Sequence, residues 1–299
     1  MGSFDFSGLW VPLVTPFQAG HVDVAALRRL THHLTKTEVR GFVACGSTGE
    51  AESLTHDEQL TVLNTVLAAC DDKPVLMGLA GTRLDEMTAH LRAFAQRPIA
   101  GVLVSAPYYL RPAQAGIVAH FRALADASPV PLVLYDVPTR TGVQMSLATL
   151  LALAAHPNIQ ALKDCGGDAH KTRALIADGR LAVLAGDDDR IFSALCMGGS
   201  GAIAASGHLL PQLYAEFVST TRAGEMPRAR QLNHALTPLS QALFAEPNPS
   251  VFKAVLARQG WMSDELRLPH SPASVEAVQH TWAALEAAGR ALEMPLSRQ

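Results

Sequence analysis

Lys163 is the residue of this chain with the sharpest chemical promise. Only five lysines occur, Lys36, Lys73, Lys163, Lys171 and Lys253, and Lys163 alone closes a short apolar run, I-Q-A-L-K over 159–163. Side chains alternate along an extended strand, so Ile159, Ala161 and Lys163 are expected on one face. An ammonium ion is costly in an apolar interior, so burial should draw its pKa down from about 10.4. The neutral amine can then attack a carbonyl and form an imine. Position alone leaves two other readings open: a structural salt bridge, to Asp164 or Asp187, or a phosphate-binding lysine.

Further reactive types stand where other apolar runs end. Gly46-Ser47-Thr48-Gly49-Glu50 offers two hydroxyls and successive backbone N–H groups, a nest for an anion such as the carboxylate of a 2-oxo acid. The alternative is a glycine-rich turn capped by Ser or Thr. It is not a phosphate-binding P-loop, because the Lys-Ser/Thr ending is absent. Tyr135 could pass protons during carbinolamine formation, or be a core tyrosine. Arg140 could fork onto a substrate carboxylate, or form a surface ion pair. Tyr108 and Tyr109 could build a pocket wall, a subunit contact or plain loop packing. Thr15 and Gly186 also close apolar runs. Asp187, Asp188 and Asp189 read as acidic caps of a following helix rather than as a metal site. No metal-ligand spacing of histidines and no G-x-G-x-x-G after a strand occur, so neither a metal nor a nicotinamide cofactor is expected.

These residues need elements to hold them. Eight apolar runs, near 9–14, 41–45, 74–78, 101–105, 131–135, 159–163, 181–185 and 201–205, have the length and continuity of strands buried on both faces. Amphipathic stretches lie between them, such as 24–35, 56–70 and 85–95, with a capping box at Thr55 and Glu58. Eight strand–helix units predict an α/β fold, a (β/α)8 TIM barrel, with a doubly wound sheet as the rival. Residues 1–206 are expected to form the barrel core, its last helix running on to about 222. Residues 223–299 then form a C-terminal helical subdomain, with breaks near Gly224, Pro247 and Pro269. In such a barrel, chemistry sits where strands end and βα loops begin.

Composition narrows the function. The 299 residues are 48% hydrophobic and 17% charged with a formal net charge of -3, which argues for a packed core and against nucleic-acid or anionic-membrane binding. Four scattered cysteines suggest no disulfide framework and fit a reducing cytoplasm. The start M-G-S-F-D-F has no signal-peptide pattern, and no apolar run reaches membrane-spanning length.

The ordered set G-S-T-G-E at 46–50, P-Y-Y-L-R-P at 107–112, Y-D-V-P-T-R-T-G at 135–142, A-L-K-D at 161–164, G-D-D at 186–188 and F-A-E-P-N-P at 244–249 resembles the dihydrodipicolinate synthase/N-acetylneuraminate lyase family of class I pyruvate aldolases. The pieces span nearly the whole chain. The resemblance implies that Lys163 forms the imine with pyruvate and that Tyr135 is the acid/base. It implies that Gly46, Ser47, Thr48 and Gly49 bind the pyruvate carboxylate, and that the Ile203 carbonyl faces the lysine. Ser47, Tyr135 and Tyr109 would form a proton relay, with Tyr109 donated across a dimer interface in a homotetramer. No metal or organic cofactor is implied. Arg140, in P-x-R-T-G, looks like the synthase branch, where it would hold the carboxylate of aspartate semialdehyde. The implied reaction yields 4-hydroxy-tetrahydrodipicolinate, for lysine biosynthesis. A related aldolase or dehydratase acting on a hydroxylated 2-oxo acid or sugar acid is the second reading, and a non-catalytic 2-oxo-acid-binding homologue the third.

Several positions depart from the family pattern. Asp136 replaces the usual Asn, Asp164-Cys165-Gly166-Gly167 follows the lysine, and 204–208 reads A-A-S-G-H. His56 and Glu86 match an inhibitor-site pattern that Ala51 and Thr82 do not, so weak or absent inhibition by lysine is expected.

Overall fold

All eight apolar runs become strands. In chain order the strands are β1 (Gly8–Pro12), β2 (Phe17–Gln18), β3 (His21–Val22), β4 (Gly41–Ala44), β5 (Val75–Leu79), β6 (Gly101–Ser105), β7 (Leu132–Asp136), β8 (Ile159–Asp164), β9 (Ala182–Ala185) and β10 (Gly201–Ile203). In the computed structural model, which describes residues 4–292, eight of them close a parallel barrel in the order β1-β10-β9-β8-β7-β6-β5-β4. Closure excludes the doubly wound rival. The outermost parts of the expected segments, residues 1–3 and 293–299, lie outside the described residues. The small antiparallel hairpin of β2 and β3 was not expected from the sequence, since two-residue strands are too short to show a period.

Each barrel strand sends at least one apolar side chain inward: Trp10, Val43, Leu76, Leu103, Val133, Ala161, Leu184 and Ile203 pack together in the inner core. The opposite faces pack under the helices in a larger apolar layer. Phe4 and Phe6 meet edge to face near Trp10, whose indole donates to the Phe6 carbonyl at 2.8 Å. The expected alternation fails at one point. Leu132 and Val133 of β7 are consecutive, but their partners on β8 are Ile159 and Ala161. Gln160 is therefore an extra residue, a β-bulge. Ile159 turns to the outer layer, while Ala161 and Lys163 keep the inward face.

The helices are α1 (Val24–Thr35), α2 (His56–Ala69), α3 (Leu84–Phe94), α4 (Gln114–Ala127), α5 (Pro138–Thr141), α6 (Leu147–Leu153), α7 (Ala169–Asp178), α8 (Ile191–Cys196), α9 (Pro211–Ala223), α10 (Met226–Leu243), α11 (Ser250–Arg258) and α12 (Val275–Ala291). The Thr55–Glu58 capping box forms in both directions at the start of α2. Gly224, at φ 78, ends α9 in the left-handed conformation where a glycine is favoured. No helix among the described residues is long and apolar enough to cross a membrane.

Candidate active site

Lys163 and Tyr135 are paired neighbours on β8 and β7, both near the carboxyl ends of their strands. The bulge sets this register. Lys163 is only 5% exposed, and its Nζ lies 4.4 Å from the centre of the Tyr135 ring. Burial alone pulls the ammonium pKa down, but the Tyr135 oxygen, the Cys165 sulfur and the Asp188 carboxyl more than offset it. The net direction is upward, contrary to the expectation from apolar burial alone. The amine rests protonated and must lose a proton before it can attack a carbonyl. Burial also pushes the Tyr135 phenol up, with Lys163 and a hydrogen bond from Ser47 pulling it back. Lysine, phenol and serine hydroxyl thus form one proton-sharing group.

Two cavities, of about 270 and 510 Å³, open around this pair. Both are lined by Pro12, Ser47, Tyr135, Val137, Arg140 and Lys163. The smaller runs toward Glu52, Tyr108 and His270. The larger runs toward Cys165, Asp188, Ile203 and Asn248. Gly186 lies under the lysine: a Cβ there would stand 2.9 Å from Lys163 Cγ and would collide with Cys165 Sγ. Only a glycine lets that backbone approach.

The loop after β4 is a 3-10 turn over Ser47–Gly49, and no Ser or Thr side chain caps it. Distant residues fix it instead. Thr15 Oγ1 donates to the Gly49 carbonyl at 2.7 Å, and Asn248 Nδ2 donates to Thr48 Oγ1 at 3.0 Å. Glu50, left-handed at φ 53, pairs with Lys253 Nζ at 2.5 Å, and both side chains are fully buried. Lys253 also lies 4.1 Å from the centre of the Phe17 ring and donates to the Glu265 carbonyl at 2.8 Å. Arg267 completes the tie through Glu50 Oε2 at 3.2 Å, the Ser53 carbonyl at 2.7 Å and Glu58 at 2.5 Å. The C-terminal segment thus grips the loop that carries Ser47 and Thr48.

Arg140 sits on α5, exposed, and lines both cavities. Its side chain has no hydrogen bond or ion pair among the described residues. A free guanidinium beside a buried amine is placed to take a carboxylate in a fork. Ile203 lines the larger cavity with Lys163. Tyr108 Oη donates to Glu52 Oε2 at 2.9 Å, and burial with that carboxylate pushes its pKa up to about 12. Tyr109 lies apart from the others, at φ 68 and 88% exposed.

The acidic run corrects one expectation. Asp188 is buried and accepts from the backbone N–H of Ser206 at 2.7 Å. It therefore supports the 3-10 turn Ala205–His208 after the neighbouring strand β10, not the helix that follows it. Burial raises its pKa to about 6. Among the described residues, no group of three or more His, Cys, Asp or Glu could hold a metal ion. Sequence reasoning missed Asp188, Lys253 and Arg267 as supports of the site. A lysine inside the apolar stretch V-F-K-A-V was a usable signal for Lys253. Nothing local marked the other two.

The Dihydrodipicolinate synthetase family model matches residues 5–288. The chain belongs to this family. It is 36% identical over 284 residues to the 4-hydroxy-tetrahydrodipicolinate synthase of Haloarcula marismortui, covering 94% of this chain and 93% of that one. Among solved structures it is similar to the chloride-inhibited dihydrodipicolinate synthase of Acinetobacter baumannii complexed with pyruvate. That match has a TM-score of 0.92 at 32% identity, over 95% of this chain and 99% of the other. A monomeric dihydrodipicolinate synthase variant matches with a TM-score of 0.92 at 30% identity, over 95% and 97% of the two chains. The departures at Asp136, 164–167 and 204–208 are therefore variations inside the family's architecture.

Proposed function

We propose that this protein is a 4-hydroxy-tetrahydrodipicolinate synthase, which condenses pyruvate with L-aspartate 4-semialdehyde through an imine on Lys163. The observation that carries the reading is the pairing of Lys163 with Tyr135 at the mouth of a barrel whose relatives bear that name. The Lys163 amine attacks the C2 carbonyl of pyruvate, the oxygen leaves as water, and the imine forms. Loss of a C3 proton gives the enamine, whose C3 attacks the aldehyde carbon. The acceptor's own amine then attacks C2 and expels the Lys163 amine, closing the ring and freeing the enzyme. Tyr135 and Ser47 carry the protons in and out. The Ser47 and Thr48 hydroxyls, with the N–H groups of the turn between Gly46 and Gly49, hold the pyruvate carboxylate. The Ile203 carbonyl faces the imine, and Arg140 holds the acceptor's carboxylate. No metal or organic cofactor enters these steps.

Tyr109 completes the relay in a neighbouring copy, within a dimer of dimers. Its exposure in the single chain supports that role. Sedimentation should give a tetramer, and a monomer that retains full activity would overturn the Tyr109 role. Residues 223–292 act as a helical subdomain that holds the Ser47 loop through Lys253 and Asn248.

Borohydride tests the central step. With pyruvate present, reduction should leave a pyruvyl adduct on Lys163 that mass spectrometry locates. Lys163→Ala should lose both the adduct and turnover. Turnover confined to sugar-derived aldehydes would replace the acceptor named here by those of the related aldolases.

A further inference from the structure

We propose that the buried ion pair of Lys171 and Asp136 is the positioning device for Arg140, and so sets affinity for the acceptor. The proposal rests on the reading of Arg140 given above. Arg140 rides on an excursion of the chain that leaves β7 after Asp136 and returns to the core at Met145, which is fully buried. Asp136 Oδ1 accepts from the Met145 N–H at 3.1 Å. Lys171 Nζ donates to the other carboxylate oxygen of Asp136 and to the Met145 carbonyl at 3.3 Å. One pair of side chains, 3% and 1% exposed, therefore holds both polar backbone groups of Met145 and closes the excursion at its base.

Within the excursion the links are short. The Arg140 N–H donates to the Val137 carbonyl at 2.9 Å, and Thr141 Oγ1 donates to the Val143 carbonyl at 2.9 Å. A shift at Met145 is thus passed to Arg140. Among the described residues, the Arg140 guanidinium has no hydrogen-bond or ion-pair partner that would resist the shift.

The neighbouring loop is built around the same pair. A Cβ on Gly166 would lie 2.6 Å from Asp136 Oδ2 and would also strike Lys171 Nζ. Gly166 therefore makes room for the pair, and Gln144 Nε2 bonds the Gly166 carbonyl at 2.8 Å. Asp136 and Gly166, two separate departures from the family pattern in sequence, are one unit in space. Lys171 lies in the first turn of α7, where the helix dipole disfavours a cation. Asp136 is the charge that makes a buried lysine tenable there. Take that charge away and the carboxylates left nearby are Asp168, which already accepts from the Lys171 N–H, and Asp164 on the other side of Gly166. Lys171 would turn toward one of them and release Met145.

Asp136→Asn is the direct test, with Asp136→Asn/Lys171→Met as its charge-balanced control. Two quantities are read in each: amide exchange of 137–145, and the KM values for L-aspartate 4-semialdehyde and pyruvate. In Asp136→Asn, exchange of 137–145 should rise by about tenfold while 44–50 is unchanged, because a local clamp is lost rather than global stability. The acceptor KM should rise by about tenfold or more, with the pyruvate KM and the borohydride adduct within about twofold. The double variant removes the stranded cation but still lacks the Lys171 bond to the Met145 carbonyl. It should keep the acceptor KM at least about threefold above the parent, with the pyruvate KM within about twofold. A return to the parent value would make the stranded cation, not the lost clamp, the cause and would overturn the proposal. Unchanged exchange in 137–145 would overturn the proposal. So would raised exchange with an unmoved acceptor KM, which is what a merely structural pair would give. If Asp136→Asn fails to fold, a double variant that folds with the acceptor KM raised as much as the pyruvate KM also overturns it. If the parent forms the adduct but never turns over the semialdehyde, the acceptor reading fails, and the exchange result alone decides whether the pair positions Arg140.

Discussion

The two sides of the candidate site are held in different ways. On the pyruvate side, the turn bearing Ser47 and Thr48 is tied to residues about 200 positions away: Asn248 on Thr48, Lys253 on Glu50, Arg267 on Glu50 and Glu58. On the acceptor side, Arg140 projects from one short helical turn, free at its tip and clamped at its base by Asp136 and Lys171. Three of the five lysines are buried, and the proposed reading gives each its own role: Lys163 as the amine, Lys253 behind the first side, Lys171 behind the second. The keto-acid end is fixed at many points, as a substrate that must meet one amine in one orientation requires. The acceptor end depends on a single buried pair, so substitutions there can retune the acceptor without disturbing the imine. The family departures at 136 and 164–167 fall on that side.

Three experiments would break or sharpen this contrast. The largest effect is expected from Lys253→Met, which takes the fully buried ion-pair partner from Glu50 and leaves its carboxylate only the Arg267 N–H and the more distant Arg267 charge. Removing one partner of such a pair costs about 3–5 kcal/mol. Urea unfolding should show that loss, and borohydride trapping of pyruvate should slow with it. If stability falls but trapping keeps its rate in the folded protein, the tie does not serve the pyruvate side.

Arg140→Ala should do the reverse. Loss of a forked carboxylate contact should lower kcat/KM for the acceptor by about a hundredfold, or about 3 kcal/mol, with trapping of pyruvate unchanged. Equal losses for both substrates would merge the two sides into one.

The smallest effect concerns the turn that walls the larger cavity. His208 is buried as the neutral ring: Nε2 accepts from the Val14 N–H at 3.2 Å and Nδ1 donates to the Ala205 carbonyl at 2.7 Å. Burial lowers its pKa from 6.5 to about 4. Its proton therefore binds the unfolded chain more strongly, and stability is lost as pH falls from 6.5 toward 4. Asp188, raised from 3.8 to about 6, acts in the opposite sense: its contribution is full below 3.8 and is lost as pH rises through 6. Between pH 4 and 6 the two nearly cancel. His208→Asn should remove one arm, so its stability relative to the parent should rise by about 2–3 kcal/mol on going from pH 7 to pH 4.5. A constant difference between the two proteins across that range would show that His208 is not held neutral.

The amino-acid sequence by itself determined eight strand–helix units, because doubly buried strands must be continuous apolar runs and the intervening helices amphipathic. That they close into a barrel and not a doubly wound sheet was decided by β1 pairing with both β10 and β4. The sequence determined Lys163, Tyr135, the Ser47 turn and Arg140 as candidates, because strand ends and glycine-rich turns are local signals. Only the tertiary structure decided what holds them. The bulge at Gln160, which sets Tyr135 beside Lys163, follows from how two strands pair. The upward direction of the Lys163 pKa depends on Asp188, Cys165 and Tyr135 gathering around it from three strand ends. Asp188 supports the turn after the neighbouring strand, not its own helix, and the buried pairs Glu50–Lys253 and Asp136–Lys171 join residues 203 and 35 positions apart. Charge pairing of that kind depends on distance in space, and no local pattern of residue types encodes it.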